Sequence, residues 1–423
     1  MGIKIGVVGC GAFSADFIRL FNNHPDVDEV AVADVFEERA RSTAEKFGLK
    51  RYFLSLDDML ENGSDLDSIA IFTQRHLHGP MIIKALKQGK HVYSAVPIGC
   101  TIEEIREILE LVKQTRQIYM MGETCYYYPC AIYCREQYEK GNFGKFVYGE
   151  SQYYHDICEM YNDFKRSGGD TWQRAAGNPP MFYPTHSISM IFSAIHEHAV
   201  KVSCMGLLDN HEDNIYGEGK NDWDNPFSNE TALFQMSGGG VVRINEFRRV
   251  GINKPSSYIT CFYGDKGSYE CSVTNHTFQR GVASGETPYM EDVGPLVNTI
   301  RYNEEIDTMD KRTGPISVRY IEGYAAIQDT SRLPISFRME KPYSHYNSHP
   351  FLVDDFVRAV MTGKLPPNNA WDAARYMIPG LVAHESALQG GVLMDTPDFG
   401  DAPADWEKLT FETPDYYEVP KHG

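Results

Sequence analysis

Residues Ile3 to Phe13 read IKIGVVGCGAF. An apolar run of strand length enters a glycine-rich turn, and SADFIRLFNN, residues 14–23, follows with helical spacing. Gly9 and Gly11 supply G-x-G, and Ser14 stands where a third glycine would complete G-x-G-x-x-G; serine is still small enough for close helix packing. Glycines in such a turn let the backbone approach a pyrophosphate, and the helix start offers it unpaired N–H groups. The next strand, DEVAVADV, carries Asp34, about 20 residues past the turn, where a carboxylate accepts hydrogen bonds from the adenosine ribose and repels a 2′-phosphate. The spacing predicts NAD over NADP, with Arg39 close enough to soften the preference. Asp34 can also cap the helix EERARSTAEKF, and the two roles are compatible.

The alternation continues through strand LDSIAIFT, helix GPMIIKALKQG, strand HVYSA, helix TIEEIREILELVKQT and strand QIYMMG. Strands and helices of these lengths imply right-handed crossovers and a doubly wound parallel sheet, so residues 1–122 are expected to form an NAD-binding Rossmann domain. Ligands of such sheets lie beyond the carboxyl ends of the strands. The expected cofactor contacts are therefore Gly9, Gly11, Ala12 and Phe13 in the turn, Asp34, Thr73 and Gln74, and Ala95 and Pro97.

Beyond Gly122 the pattern changes. PCAIYCREQYEKGNFGK reads as a helix with a glycine stop, and FVYGESQYYHD alternates as a strand. VKVSCMGLL is a further strand, and hairpins are expected around Gly238 to Gly240 and Asp265 to Gly267. HPFLVDDFVRAVMTG and NAWDAARYMIPGLVAHESALQG read as amphipathic helices. The expectation is a second α+β domain, 123–423, with a large, mostly antiparallel open sheet that binds substrate and joins copies of the chain. An irregular insertion is expected at about 280–342, and the stretch after Pro397 is expected only to drape over the surface.

Composition narrows the function classes. The 423 residues carry a formal charge of −18, which repels phosphate backbones and argues against a nucleic-acid partner. An anionic substrate would need a local basic patch. Nine cysteines without a CxxC pair fit reduced thiols. The apolar N-terminus is too short to span a bilayer, so a cytoplasmic protein without a membrane partner is expected. No ligand spacing for a metal is found.

These motifs resemble the Gfo/Idh/MocA oxidoreductases, the glucose-fructose oxidoreductase and inositol dehydrogenase group. The resemblance rests on GVVGCGAFS, FTQRHLHGPMIIKALKQGKHV, FYGDKGSYE and HPFLVDDFVRAVMTGKLPPNNAWDAARYM. It implies hydride transfer between NAD(P) and a sugar or polyol carbon, an open C-terminal sheet that often makes a homo-oligomer interface, and a cofactor-side role for Thr73 and His78 in T-x-x-x-x-H. The family's Glu-Lys-Pro after GKHV is replaced: Ala95 and Val96 stand at the Glu and Lys positions, and neither can exchange a proton.

A different segment then matters. NPPMFYPTHSISM, Asn178 to Met190, holds Tyr183 and His186 three residues apart. Pro184 suits a first helical turn, so the pair can be a helix start alone. YPTH also resembles the signature of the NAD-dependent glycosidase branch, glycoside hydrolase family 109, in which a tyrosine and a histidine serve the reaction. With Val96 silent, His186 is the first catalytic candidate and Tyr183 the second. Glu123, His155, Trp172 and Arg174 are candidate substrate contacts, with Trp172 equally an anchoring residue. Three readings stay open: an NAD-dependent oxidoreductase of a carbohydrate, an NAD-dependent glycosidase passing through a 3-keto sugar, and a non-catalytic NAD- or sugar-binding regulator.

Overall fold

The run at Ile3 becomes the central strand of a six-stranded parallel sheet. The computed structural model describes residues 2–251, 255–271, 275–281, 287–298, 324–338 and 345–410. The first sheet comprises β1 (Ile3–Val8), β2 (Val27–Ala33), β3 (Tyr52–Phe53), β4 (Ser68–Ile71), β5 (His91–Ser94) and β6 (Tyr119–Met121). Its order, β3-β2-β1-β4-β5-β6, reverses direction between β1 and β4, and that switch point is where such sheets hold a dinucleotide. The crossovers are α1 (Ser14–Asn23), α2 (Glu37–Phe47), α3 (Leu56–Asn62), α4 (His78–Lys87) and α5 (Ile102–Thr115). Their ends follow local chemistry. Ser55 caps α3, and Thr101 and Glu104 form a reciprocal capping box on α5. Gly48, at φ 66°, closes α2 in the left-handed conformation.

The second sheet has nine strands: β7 (Phe146–Tyr154), β8 (Ala199–Leu208), β9 (Phe227–Met236), β10 (Val241–Phe247), β11 (Ser256–Gly264), β12 (Gly267–Cys271), β13 (His276–Arg280), β14 (Tyr289–Asp292) and β15 (Met394–Asp395). The order is β14-β13-β12-β11-β7-β10-β9-β8-β15. Only β7 and β10 pair in parallel. The period-2 alternation turns Ala232, Phe234 and Met236 of β9 inward and leaves Leu233 and Gln235 outside. The remaining helices are α6 (Pro129–Glu139), α7 (Tyr161–Gly168), α8 (Trp172–Ala176), α9 (Thr185–Ile195), α10 (Gly294–Val297), α11 (Ile335–Arg338), α12 (Ser348–Thr362) and α13 (Ala370–Leu388). α6, α9 and α13 pack on the inner face of this sheet.

One continuous apolar core joins the two sheets. α13 packs against both α5 and β8, and α12 packs against α1. Gly380 inside α13 decides how closely the helix approaches the catalytic candidates: a Cβ there would collide with Met181 O and the Pro184 ring. Two expectations change. The expected insertion lies partly outside the described residues, but within it Tyr289–Asp292 extend the sheet by pairing with β13. The tail after Pro397 does more than drape as far as residue 410: Trp406 is buried and donates from Nε1 to Gly363 O at 2.9 Å, and Asp405 pairs with Arg116. No helix among the described residues is long and apolar enough to cross a membrane.

Candidate active site

At the cofactor end, Gly9 takes φ +100°, and a Cβ on it would collide with the Phe72 carbonyl, so the turn requires glycine. Nothing lies within 4 Å of where a Cβ on Gly11 would be, which leaves open space above the turn. Gly11, Ala12 and Phe13 are exposed before α1. Ser14 is buried and its hydroxyl donates to Gly11 O at 3.0 Å, so it closes the turn as well as sparing space. Asp34 Oδ2 accepts from Cys10 N–H at 2.9 Å and Oδ1 from Phe36 N–H at 3.0 Å. The carboxylate therefore ties β2 to the glycine turn. Arg39 Nη1 lies 3.4 Å from both of its oxygens. The permissive turn, the open space and the helix start together fit a dinucleotide.

The β4 and β5 ends are held together by His78. Its Nδ1 lies 2.9 Å from Pro97 O and its Nε2 3.1 Å from Thr73 O. Burial holds the imidazole below its ordinary pKa. His78 is 1% exposed and thus a brace for the crevice wall, not the expected surface for the cofactor. Ala95 and Pro97 are buried in the same wall, as is Val96 at the family's lysine position. Thr73 and Gln74 are half-buried at the β4 end.

At the reaction end, Pro184 precedes α9 and His186 is its second residue. The helix-start reading and the site reading thus coexist. Tyr183 lies outside the helix, yet its ring meets His186 edge to face with centroids 5.0 Å apart. Glu123, expected to touch substrate, has another partner. Its Oε1 lies 2.7 Å from His186 Nδ1 and also accepts from Cys125 N–H at 2.9 Å. Glu123 is fully buried and its Oε2 has no hydrogen-bond partner. An acceptor on Nδ1 fixes that nitrogen as the N–H and leaves Nε2 with the lone pair. Nε2 has no hydrogen-bond partner among the described residues. The Tyr183 hydroxyl is free in the same way. Burial pushes the phenol above its ordinary pKa, with Arg75 opposing; Tyr183 is a proton donor at neutral pH.

Glu123, Cys125 and His186 also bring three ligand-type atoms within 4.8 Å of one another. Burial and the Glu123 charge push the Cys125 thiol well up, which keeps it protonated, and Glu123 Oε1 and His186 Nδ1 are engaged with each other.

Sequence reasoning missed several neighbours. The Arg75 guanidinium lies 3.8 Å from the Tyr183 ring centroid. Tyr153, on the inward face of β7, sits 5.0 Å from the His186 ring and bonds His155 Nδ1 at 2.8 Å. Burial and then Arg248 push His155 down to about 3, so it is a neutral hydrogen-bonding group. Arg248 is buried, pairs with Glu246 at 2.8 Å and covers the Tyr153 ring at 4.9 Å. Alternation along β7 was the available signal for Tyr153; nothing in the sequence pointed to Arg248. Among the described residues no side chain caps the start of α12, and His345 and His349 reach the glycine turn instead. Their rings lie 5.5 Å from Phe13 of the glycine turn.

Two expected substrate contacts sit elsewhere. Trp172 packs on Tyr161 in a satellite cluster with Ile157, Ala176, Ile215 and Tyr216, which is the anchoring role. Arg174 is exposed and pairs with Asp222 at 2.6 Å.

Residues 3–123 match the family model described as oxidoreductase family, NAD-binding Rossmann fold. A glycosyl hydrolase family 109 protein of Saccharopolyspora erythraea is 26% identical over 63% of this chain, and the match spans 62% of that relative. Another, of Streptomyces filamentosus, is 24% identical over 96% of this chain and 78% of its own length. Among solved structures, levoglucosan dehydrogenase in complex with NADH and levoglucosan superposes with TM-score 0.70 at 17% identity, over 94% of this chain and 100% of that one, a likeness of fold. Over residues 3–123, then, the chain matches the NAD-binding Rossmann fold of the Gfo/Idh/MocA oxidoreductases, and along the rest of its length the likeness is to family 109 relatives and to the dehydrogenase fold.

Proposed function

We propose that this protein oxidises a sugar carbon by NAD-dependent hydride transfer, with His186 taking the proton of the reacting hydroxyl at Nε2. The observation that carries this reading is the buried Glu123–His186 contact, which orients the imidazole and leaves Nε2 as the open base beside Tyr183. Bound NAD supplies the hydride acceptor, nicotinamide C4. The chain's part is to hold the dinucleotide on the Gly9–Gly11 turn and the start of α1, to present Nε2 to the hydroxyl, and to stabilise the imidazolium through Glu123. General-base help of this kind is worth roughly 10²- to 10⁴-fold.

A second reading is favoured by the free Tyr183 hydroxyl and by the names of the family 109 relatives. Oxidation at sugar C3 acidifies the C2 proton; a base removes it and the C1 substituent leaves. Water then adds across the double bond, and return of the hydride restores the alcohol. This sequence needs a proton donor for the leaving group, and Tyr183, kept protonated by burial, suits that task.

Both readings are tested by incubating the NAD-loaded protein with free sugars and aryl glycosides while following NADH absorbance and released phenol together. Net NADH supports the oxidoreductase, and phenol release without net NADH supports the glycosidase. Neither signal over a broad panel would leave a non-catalytic binding protein.

A further inference from the structure

We propose, on top of the sugar-oxidising reading of this site, that its substrate carries a carboxylate and that Arg75 binds it. Arg75 opens the short 3₁₀ turn Arg75–Leu77 after β4, and its half-buried guanidinium covers Tyr183 at 3.8 Å. It makes no ion pair and donates no hydrogen bond among the described residues. Arg248, the other arginine over the Tyr183 ring, is engaged with Glu246 at 2.8 Å, and farther out Arg174 pairs with Asp222 at 2.6 Å and Arg249 with Asp213 at 2.5 Å. In a chain with 58 acidic residues against 40 basic ones, an arginine without a carboxylate beside the proton-transfer pair is the group that asks for a ligand.

Among the described residues the surroundings supply no internal substitute. Glu123 is taken up by His186, Glu246 by Arg248 and Ser187, and Glu159 lies 3.5 Å from His155 Nε2. Arg248 brings a second guanidinium 5.9 Å from the Tyr183 ring but is neutralised by Glu246, so Arg75 is the guanidinium here without a carboxylate among the described residues. A planar guanidinium with free N–H groups matches a carboxylate through two parallel charge-assisted bonds, and a neutral hydroxyl uses only part of that capacity. The other anion in such a site would be the cofactor diphosphate. That group's place is marked by the Gly9–Gly11 turn and the start of α1, whereas Arg75 lies against Tyr183 of the reaction end. The geometry therefore points to a uronic acid or a related acidic sugar.

The test uses the full-length, NAD-loaded protein and calorimetric binding of D-glucuronate and D-galacturonate against D-glucose and D-galactose. At least one uronate should bind about tenfold or more tightly than its parent sugar. Arg75→Met, which keeps an apolar stem over Tyr183, should erase that preference, Arg75→Lys should keep part of it, and NAD affinity should be unchanged in both. Equal or absent uronate binding in the wild type overturns the proposal, as does a preference that survives Arg75→Met. A roughly tenfold loss of NAD affinity in Arg75→Met with sugar preference intact also overturns it, by assigning the arginine to the cofactor phosphates. Arg75-dependent uronate binding without oxidation or cleavage of any sugar would retire the reading of the reaction and leave this assignment standing.

Discussion

Glu123 Oε1 lies 2.7 Å from His186 Nδ1 across 63 residues of sequence, and both side chains are buried. Glu123 follows the last strand of the parallel sheet, and His186 opens a helix on the inner face of the other sheet. The Glu123–His186 contact therefore forms only when the two sheets are docked, and on the proposed reading its carboxylate comes from the sheet that would hold the cofactor.

Replacement of Glu123 by Gln tests that dependence. The amide removes the charge that stabilises an imidazolium and can present an N–H to Nδ1, which favours the wrong tautomer. Turnover should fall by about 10²- to 10⁴-fold, in the range expected for general-base catalysis and its orienting carboxylate. NAD affinity, measured by quenching of protein fluorescence, should stay unchanged, because Glu123 lies apart from the glycine turn. Near wild-type turnover would remove the dyad from the mechanism.

Tyr183→Phe separates the two readings of the reaction. The ring keeps its edge contact with His186 and its cover by Arg75, and only the hydroxyl is lost. If leaving-group departure uses that proton, phenol release should fall by about 10²-fold or more while single-turnover NADH formation persists. Parallel loss of both signals would instead place Tyr183 in the hydride step.

Much of this was legible in the sequence, for identifiable reasons. The glycine turn, Asp34 and the alternating strands have short-range signals, because backbone geometry dictates residue type at fixed offsets. YPTH pointed to Tyr183 and His186 only through its resemblance to the family 109 signature and the loss of the lysine at Val96, because the segment alone reads equally as a helix start. The Glu123 role was not legible, since an acidic residue after a strand looks alike whether it faces ligand or histidine. Arg174 and Arg75 show the limit most clearly. Both are arginines near aromatic residues, and only tertiary structure gives one an aspartate and leaves the other without an ion pair among the described residues. β14 was hidden because all four of its residues are exposed, which erases the alternation that reveals a strand.

Cofactor preference should be adjustable at Arg39. Its guanidinium lies 3.4 Å from both Asp34 oxygens and 4.5 Å from the Phe36 ring, beside the expected position of the adenosine ribose. It offsets the repulsion that Asp34 exerts on a 2′-phosphate. Arg39→Leu should therefore weaken NADP binding by about tenfold relative to NAD, through loss of a partly exposed ion pair. Titration of the two cofactors against the variant checks the ratio, and an unchanged ratio would show that Asp34 alone sets it.

Acid sensitivity should trace in part to His276. The residue is buried on β13, where its Nδ1 lies 2.7 Å from the Tyr269 hydroxyl, and burial pushes it down to about 4 from 6.5. The unfolded chain takes up a proton through pH 6.5 that the folded chain refuses until about 4, so this contribution is complete above pH 6.5 and is lost as pH falls toward 4. Glu246, raised to about 7 by burial, works with the opposite sign, since its contribution declines as pH rises from 4.5 to 7. A comparison of variant with wild type cancels that second slope. His276→Gln keeps a hydrogen-bonding group for Tyr269 and should reduce the drop in thermal midpoint between pH 7 and pH 5 by several degrees. An identical drop would assign acid sensitivity to other groups.

The outer face of the nine-stranded sheet should join two copies of the chain. Register places Met205 opposite Thr231 and Ser203 opposite Leu233, so Met205, Leu207 and Leu233 share one face with Arg243. They are exposed by 63%, 57% and 48%, although the same strands turn Cys204, Ala232 and Phe234 into the core. Exposed apolar rows of this kind on a broad sheet match a self-complementary, two-fold interface, in which each row covers its symmetry mate. Leu233→Glu introduces a charge at a position that faces away from the core. The fold should persist, with far-ultraviolet circular dichroism unchanged, while sedimentation mass at micromolar concentration falls to that of a smaller species. A wild-type protein already monomeric at that concentration, or a variant of unchanged mass, would show that this face is not where copies meet.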